Sequence, residues 1–112
     1  MKIVKEDNGN VLVLLKEKEI VQEMKYNNVD ASFEKHLPQF RVKDNKVEVF
    51  VDHVMEEDHY IEWILVDYGN SQVIKHFKPG EECVLNTNYE DGMIAYSFCN
   101  KHGLWMNKLE DK

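Results

Sequence analysis

Five side chains of metal-binding types lie in this sequence where loops can bring them together. Cys99 and His102 are separated by two residues, a spacing at which one turn can present a thiolate and an imidazole to the same metal ion. His53 and His59 flank a short acidic run, and His36 lies upstream of them. Each falls at the end of a predicted strand or in a loop, where binding residues concentrate. The pattern predicts one metal site.

The predicted ligand set restricts the metal. Four imidazoles and one thiolate are too many for structural zinc, which usually closes at four ligands. A square of nitrogens with an axial sulfur leaves one octahedral position open, and this suits a redox-active iron that binds a small molecule. The thiolate pushes electron density through the metal toward the opposite position, as it does in thiolate-ligated haem. Chemistry is therefore expected at the open position.

The remaining candidates have simpler interpretations. His76 lies inside a predicted strand and is interpreted as a solvated surface residue. Cys83 is predicted to be a buried, inert thiol, because free cysteine is among the most buried residue types. Taken alone, Cys99 has the same interpretation, and the acidic run Glu56–Asp58 is an ordinary charged loop. The joint pattern of four histidines and one cysteine favours the metal site over these separate explanations.

The elements that position these residues are predicted to be strands. Short apolar runs rich in Val, Ile, Tyr, Phe and Trp alternate with Gly, Asn and Pro at intervals of about 8 to 12 residues, which is typical of an all-β domain. Beyond residue 38 the clearest runs are Gln39–Lys43, Val47–Val51, Tyr60–Tyr68, Ser71–Phe77, Glu82–Asn86 and Met93–Phe98. They indicate about seven strands and an antiparallel sandwich.

Two connections carry further predictions. Lys78-Pro79-Gly80-Glu81 has Pro and Gly where a type II turn needs them. Near the N-terminus, Val11–Leu15 and Ile20–Met24 are predicted to pair as a hairpin, although the connection between them lacks Gly-based turn chemistry and a short helix remains an alternative. One hairpin is too little to fold alone.

Size and charge exclude several classes of protein. A chain of 112 residues has room for one ordinary domain and a small appendage. The net charge of −7, with Arg41 as the only arginine, argues against binding nucleic acid or an acidic membrane. Two cysteines are too few for a disulfide framework. Neither a signal peptide nor a membrane-spanning apolar stretch is present, so we expect a soluble cytoplasmic protein without nucleic-acid or membrane partners.

Four stretches of the sequence resemble one known family in order and in content. They are residues 34–38 (EKHLP), 53–64 (HVMEEDHYIEWI), 77–80 (FKPG) and 96–105 (YSFCNKHGLW). As a set they resemble the superoxide reductases of the desulfoferrodoxin and neelaredoxin family, over residues 29–112. The resemblance implies an immunoglobulin-like β-sandwich with one mononuclear non-haem iron, alternating between Fe²⁺ and Fe³⁺. The implied ligands are equatorial His36, His53, His59 and His102 with axial Cys99.

The resemblance also implies an activity. Superoxide would be reduced by one electron to hydrogen peroxide, and the iron would be re-reduced by an external donor, rubredoxin or a similar small electron carrier. The implied role of Glu34 is to occupy the sixth iron position in the oxidised state. Lys35 is implied to attract superoxide and to assist its protonation. We also expect a homo-oligomer.

The sequence departs from the family pattern at two places. Val54 stands where a proline commonly follows the second histidine, which puts the rigidity of that loop in doubt. Residues 1–28 resemble a shortened desulforedoxin-like extension in which the metal-binding thiols are gone, because residues 1–33 contain no cysteine. We therefore expect an extension without metal ligands over residues 1–28, an iron-binding domain over residues 29–112, and no second iron centre.

Two other functions compete with this interpretation. A blue-copper electron-transfer module would use Cys99, His102 and Met106, which follow a Cys-x-x-His-x-x-x-Met order, but it leaves the other histidines unexplained. A metal-storage domain would keep the ligands without turnover and has no need of Lys35. A net charge of −7 would repel an anionic substrate, so Lys35 and Lys101 are expected to supply positive charge near the metal.

Overall fold

The protein is built from β-strands arranged in antiparallel sheets. The computed structural model describes residues 1–14, 24–27 and 36–109. Across these ranges, no helix has the length and apolar character needed to cross a membrane. The described strands are β1 (Lys2–Lys5), β2 (Val11–Leu14), β3 (Gln39–Lys43), β4 (Lys46–Phe50), β5 (Ile61–Asp67), β6 (Gln72–His76), β7 (Val84–Asn88), β8 (Ile94–Cys99) and β9 (Gly103–Lys108).

Two of the sheets form a sandwich. The three-stranded sheet has the order β3-β4-β7, and the four-stranded sheet has the order β6-β5-β8-β9. Strands of both sheets contribute to one hydrophobic cluster, so the sheets pack face to face. The predicted immunoglobulin-like antiparallel sandwich is confirmed, and seven strands follow residue 38.

The core between the two sheets follows from alternation along the strands. Val47 and Val49 of β4 face Ile64 and Val66 of β5 and Ala95 of β8, and each is at most 2 % exposed. Successive side chains of a strand point to opposite faces, which explains why residues two apart share this core. Burying each larger side chain contributes about 1.5 to 3 kcal/mol to folding stability. This packing stabilises the sandwich from which the loops extend.

A second hydrophobic cluster lies on the outer face of the four-stranded sheet. There β1 and β2 form a separate hairpin, and Ile3 packs with Trp63, Leu65 and Leu104. The Trp63 ring stacks on Phe98 with centroids 5.5 Å apart. The N-terminal hairpin therefore covers β5 on the face that the other large sheet does not reach.

Several predicted turns and strands are confirmed. β3 and β4 pair as a hairpin whose turn contains Asp44 with φ of 57°, and β5 pairs with β6. The Lys78–Glu81 turn closes with Glu81 N–H donating to the Lys78 carbonyl at 3.1 Å. Gly80 in that turn has φ of 86°, the value that a type II turn requires at its third residue.

Two strand predictions need correction, and one predicted pairing lies largely outside the described residues. The partner of β2 is β1, with Ile3 opposite Val13, while Met24 donates its N–H to the Ile3 carbonyl at 2.7 Å. The predicted partner segment of β2 is residues 20–24, of which residues 20–23 lie outside the described residues. β7 begins two residues later than predicted, and β9 is a strand that the sequence pattern does not predict. The β1–β2 turn depends on Gly9, whose φ of 94° suits a residue without a Cβ.

Candidate metal centre

The five predicted ligands converge at one end of the sandwich. His36 precedes β3, and Cys99 is the last residue of β8. His53 and His59 lie in the β4–β5 connection, and His102 lies in the β8–β9 turn. One nitrogen or sulfur atom of each residue lies within 4.8 Å of the corresponding atoms of the other four. Residues separated by more than sixty positions in sequence thus form a single donor cluster.

The four imidazoles form a closed cycle. The ring centroids of successive members are 4.7 Å apart for His36 and His53, 4.6 Å for His53 and His59, 5.1 Å for His59 and His102, and 4.8 Å for His102 and His36. Neighbouring rings meet edge to face, at angles between 70° and 89°. In this cycle His36 lies opposite His59, and His53 lies opposite His102. Such a cycle directs four nitrogens at one central point.

The Cys99 sulfur lies between two opposite members of this cycle. Its Sγ atom is 3.7 Å from His53 Nε2 and 3.8 Å from His102 Nδ1. The nearly equal distances place the sulfur midway between these two imidazoles. Cys99 is fully buried, while His53, His59 and His102 are half-buried. Solvent therefore reaches these three histidines but not the cysteine.

The hydrogen bonds of the histidines indicate which nitrogens face the centre. His53 Nδ1 bonds to the Val54 carbonyl at 2.5 Å, which leaves Nε2 directed at the cluster. His36 Nε2 and His102 Nδ1 lie 3.0 Å apart. His59 Nε2 is buried and has no hydrogen-bond partner among the described residues. An unsatisfied buried nitrogen is costly, and a metal ion at the centre would satisfy it.

The protonation of the cluster favours metal binding. Burial lowers the pKa of His53 below its ordinary value, and the neighbouring His36, His59 and His102 lower it further. A lowered pKa keeps the ring neutral at neutral pH, and the neutral imidazole is the form that binds metal. The hydrogen bond to the Val54 carbonyl also fixes the tautomer and ring orientation of His53. The residues present therefore fit a metal ion of the type that takes nitrogen and thiolate ligands.

Sequence comparisons place this cluster in a known family. The family model described as Desulfoferrodoxin matches residues 28–108. A desulfoferrodoxin homolog of Archaeoglobus fulgidus is 41 % identical over 88 residues, which cover 75 % of this chain and 70 % of that protein. The desulfoferrodoxin of Desulfarculus baarsii is 36 % identical over 108 residues, covering 92 % and 85 %. The chain belongs to the desulfoferrodoxin family.

Solved structures similar to this desulfoferrodoxin-family chain include two superoxide reductases. That of Treponema pallidum aligns with a TM-score of 0.72 over 96 % of this chain and all of that chain, at 23 % identity, and supports the fold. The one-iron superoxide reductase of Giardia intestinalis aligns with a TM-score of 0.59 at 29 % identity, over 70 % of this chain and 99 % of that chain.

Hydrogen bonds around the ligands hold the loops of this family member together. Asn100 joins the β8–β9 turn to the β4–β5 loop: its Oδ1 accepts from Tyr60 N–H and its Nδ2 donates to the Asp58 carbonyl, both at 3.0 Å. Gly80 N–H donates to the Met55 carbonyl at 2.7 Å. The buried Ser97 hydroxyl donates to the His36 carbonyl at 2.8 Å. No local sequence pattern indicates these supports, because each depends on which loops are neighbours.

The residues interpreted as bystanders lie away from the cluster. His76 is exposed on β6. Cys83 is buried as predicted, and this burial raises the pKa of its thiol to about 12. Glu34 and Lys35, which are predicted to take part in the reaction, lie outside the described residues.

The structure does not favour the copper alternative. Met106 lies two residues beyond Leu104 on β9, and alternation puts both on the outer face of the sheet, whereas Cys99 belongs to the inner core. The third ligand of a blue-copper site would therefore point away from the sulfur.

Proposed function

We propose that this protein is a superoxide reductase with a mononuclear non-haem iron centre. The observation that carries the proposal is the cycle of four imidazoles with a buried cysteine sulfur within 4.8 Å of their ligand atoms and an unpartnered nitrogen at His59. The reaction combines one superoxide anion, one electron and two protons to give hydrogen peroxide. The family match and the superoxide reductases among the similar structures support this activity.

In this proposal each of the five donors has a definite role. His36, His53, His59 and His102 would hold the iron through imidazole nitrogens, and Cys99 would hold it through its thiolate. When bound, the iron supplies the one electron that superoxide accepts, and the thiolate tunes its potential. One iron per chain accounts for all five donors. The half-buried side of the cluster, away from Cys99, is the side on which a small anion would enter.

The proton supply is assigned to the residues next to His36. Lys35 precedes that ligand directly in the chain, and a lysine ammonium both attracts an anion and donates a proton. Glu34 would supply a carboxylate ligand to the oxidised iron. Both assignments are supported by the resemblance of residues 34–38 to the family motif.

An external donor returns the electron consumed in each turnover. We assign this role to rubredoxin or a similar small electron carrier in the cytoplasm. The half-exposed rings of His53, His59 and His102 give such a carrier a short approach to the metal. We further propose that residues 29–112 form the iron-binding domain, that residues 1–28 are an extension without metal ligands, and that the protein is a homo-oligomer.

The first experiment measures metal content and the optical spectrum. Protein purified from iron-supplemented cells should contain about one iron per chain and develop a thiolate-to-iron charge-transfer band on oxidation. Cys99→Ser should lose that band, and Cys83→Ser should keep it because Cys83 is outside the cluster. A band that survives in Cys99→Ser refutes the ligand assignment.

The second experiment tests the proton donor by pulse radiolysis. Lys35→Ala should slow the reaction with superoxide at unchanged iron content. Lys43→Ala is the matched control, because Lys43 lies at the opposite end of β3 from His36. Equal rates for Lys35→Ala and Lys43→Ala would remove the role proposed for Lys35 but would leave the metal centre intact.

A further inference from the structure

One buried aromatic side chain contacts two of the five cluster residues. Trp105 lies on β9 and is fully buried. Its ring stacks on the His36 imidazole, with centroids 4.8 Å apart and planes at 24°. Its Nε1–H donates to the His102 carbonyl at 3.2 Å. A single indole thus restrains one ligand through its ring and another through its backbone.

These two contacts act on neighbouring members of the imidazole cycle. His36 Nε2 and His102 Nδ1 lie 3.0 Å apart. Two nitrogens at right angles around a metal, with bonds of about 2.1 Å, lie about 3.0 Å apart. The separation of these two nitrogens already matches the spacing that adjacent metal ligands need. The stacked indole opposes rotation of the His36 ring, and the indole hydrogen bond holds the turn that carries His102.

The other supports of the cluster act elsewhere. Ser97 donates to the backbone carbonyl of His36 rather than to its ring. Asn100 holds the loop that carries His53 and His59. Among these supports, only Trp105 contacts a ligand ring by stacking.

We propose that Trp105 is a positioning residue that fixes the spacing of the His36 and His102 nitrogens and thereby sets the affinity and electronic structure of the metal site. The proposal rests on the proposed function only in that the five residues bind a metal. It requires no superoxide chemistry, and it is tested on metal binding itself.

The chain provides a matched control in its other tryptophan. Trp63 is also buried in the four-stranded sheet, but it packs on the outer face against Ile3 and Phe98. Substitutions of Trp63 therefore disturb the packing of the same sheet without contacting the cluster. The comparison pairs Trp105→Phe with Trp63→Phe, and Trp105→Leu with Trp63→Leu.

The experiment titrates each metal-free variant with cobalt(II) and measures the dissociation constant and the visible spectrum. Mutations of groups that orient metal ligands typically cost 10 to 100-fold in metal affinity. We expect about a tenfold loss for Trp105→Phe, which retains an aromatic ring but loses the N–H donor, and a larger loss for Trp105→Leu. The cobalt absorption bands should shift in both variants. The Trp63 variants should match the parent protein in affinity and spectrum.

Two results would overturn the proposal. One is a cobalt affinity and spectrum for Trp105→Phe equal to those of Trp63→Phe. The other is an equal loss of affinity in the Trp63 and Trp105 variants, which would trace the effect to general stability. If Trp105→Leu does not fold, the phenylalanine pair still decides the question. A protein that binds cobalt as expected but does not reduce superoxide would refute the proposed function and leave this inference standing.

Discussion

Asn100 provides a sharp test of how the cluster is assembled. Its side chain bridges the β8–β9 turn and the β4–β5 loop through two hydrogen bonds of 3.0 Å, to Tyr60 N–H and to the Asp58 carbonyl. The turn follows Cys99 and carries His102, and the loop carries His53 and His59. Asn100→Ala removes both side-chain bonds but retains the backbone bond from Asn100 N–H to the Tyr60 carbonyl at 3.2 Å.

The expected loss of stability follows from the number and exposure of these bonds. A hydrogen bond contributes about 0.5 to 1.5 kcal/mol net. Both bonds are solvent-exposed, so each belongs at the lower end, and together they contribute about 1 to 2 kcal/mol. A domain of about 100 residues loses roughly 4 to 8 °C of melting temperature per kcal/mol. Asn100→Ala should therefore melt about 4 to 16 °C below the parent protein in the metal-free state.

The metal-binding effect separates a loop clamp from an ordinary surface interaction. Because the clamp aligns two segments that carry ligands, Asn100→Ala should weaken zinc binding about tenfold, as measured by competition with a chelator. Asn100→Asp keeps the acceptor for Tyr60 N–H but loses the donor, so its effect should be intermediate. Asn86→Ala is the control, because Asn86 is an exposed residue of β7 in the other sheet. If Asn100→Ala and Asn86→Ala have the same melting temperature and zinc affinity, the clamp has no energetic role.

Three further predictions concern Cys83, Ile3 and Lys101. The pKa of the Cys83 thiol is raised to about 12 from 9.0, so this thiol stabilises the fold fully below pH 9 and the stabilisation is lost as the pH rises toward 12. Urea titrations should show this decline in the parent protein and a smaller one in Cys83→Ala. Ile3→Ala should lower the free energy of unfolding by about 2 to 5 kcal/mol, as measured with urea. A loss under about 0.5 kcal/mol, which is typical of a surface residue, would show that the hairpin does not cover the sheet. Lys101 is exposed, and its ammonium lies 3.9 Å from the Asp58 carboxylate. Because an exposed ion pair contributes little stability, Lys101→Ala should leave the melting temperature unchanged but slow the reaction with superoxide at low salt. Reaction rates equal to those of the parent protein at all ionic strengths would refute this.

The identity of the clustered residues was predictable from sequence, but their mutual arrangement was not. The Cys99–His102 spacing and the positions of the other histidines at strand ends follow from the printed sequence. The cyclic order in which His36 neighbours both His53 and His102 depends on which loops meet at one end of two packed sheets. That order requires strand pairing between distant segments, and no local pattern specifies it.

The strand predictions succeeded where a local turn signal accompanied an alternating pattern. Asp44-Asn45 between β3 and β4 is such a case. β1 was missed because Lys2–Lys5 has only two apolar residues between charged ends, and its pairing is stabilised by packing on the four-stranded sheet rather than by propensity. β9 was missed for a related reason, since its apolar run is limited to Leu104–Met106 and directly follows the turn at residues 100–102.

The two-faced apolar pattern of β5 accounts for the N-terminal hairpin. A sandwich strand normally has one face in the core and one in water, yet β5 buries Ile64 and Val66 on one side and Trp63 and Leu65 on the other. A β-bulge between Ile61 and Trp63 shifts the alternation so that Ile61 also joins the inner core. The outer face therefore needs a cover, and β1 with β2 supplies it. The N-terminal hairpin thus has a structural role, which is to bury the outer face of the sheet whose far end carries Cys99.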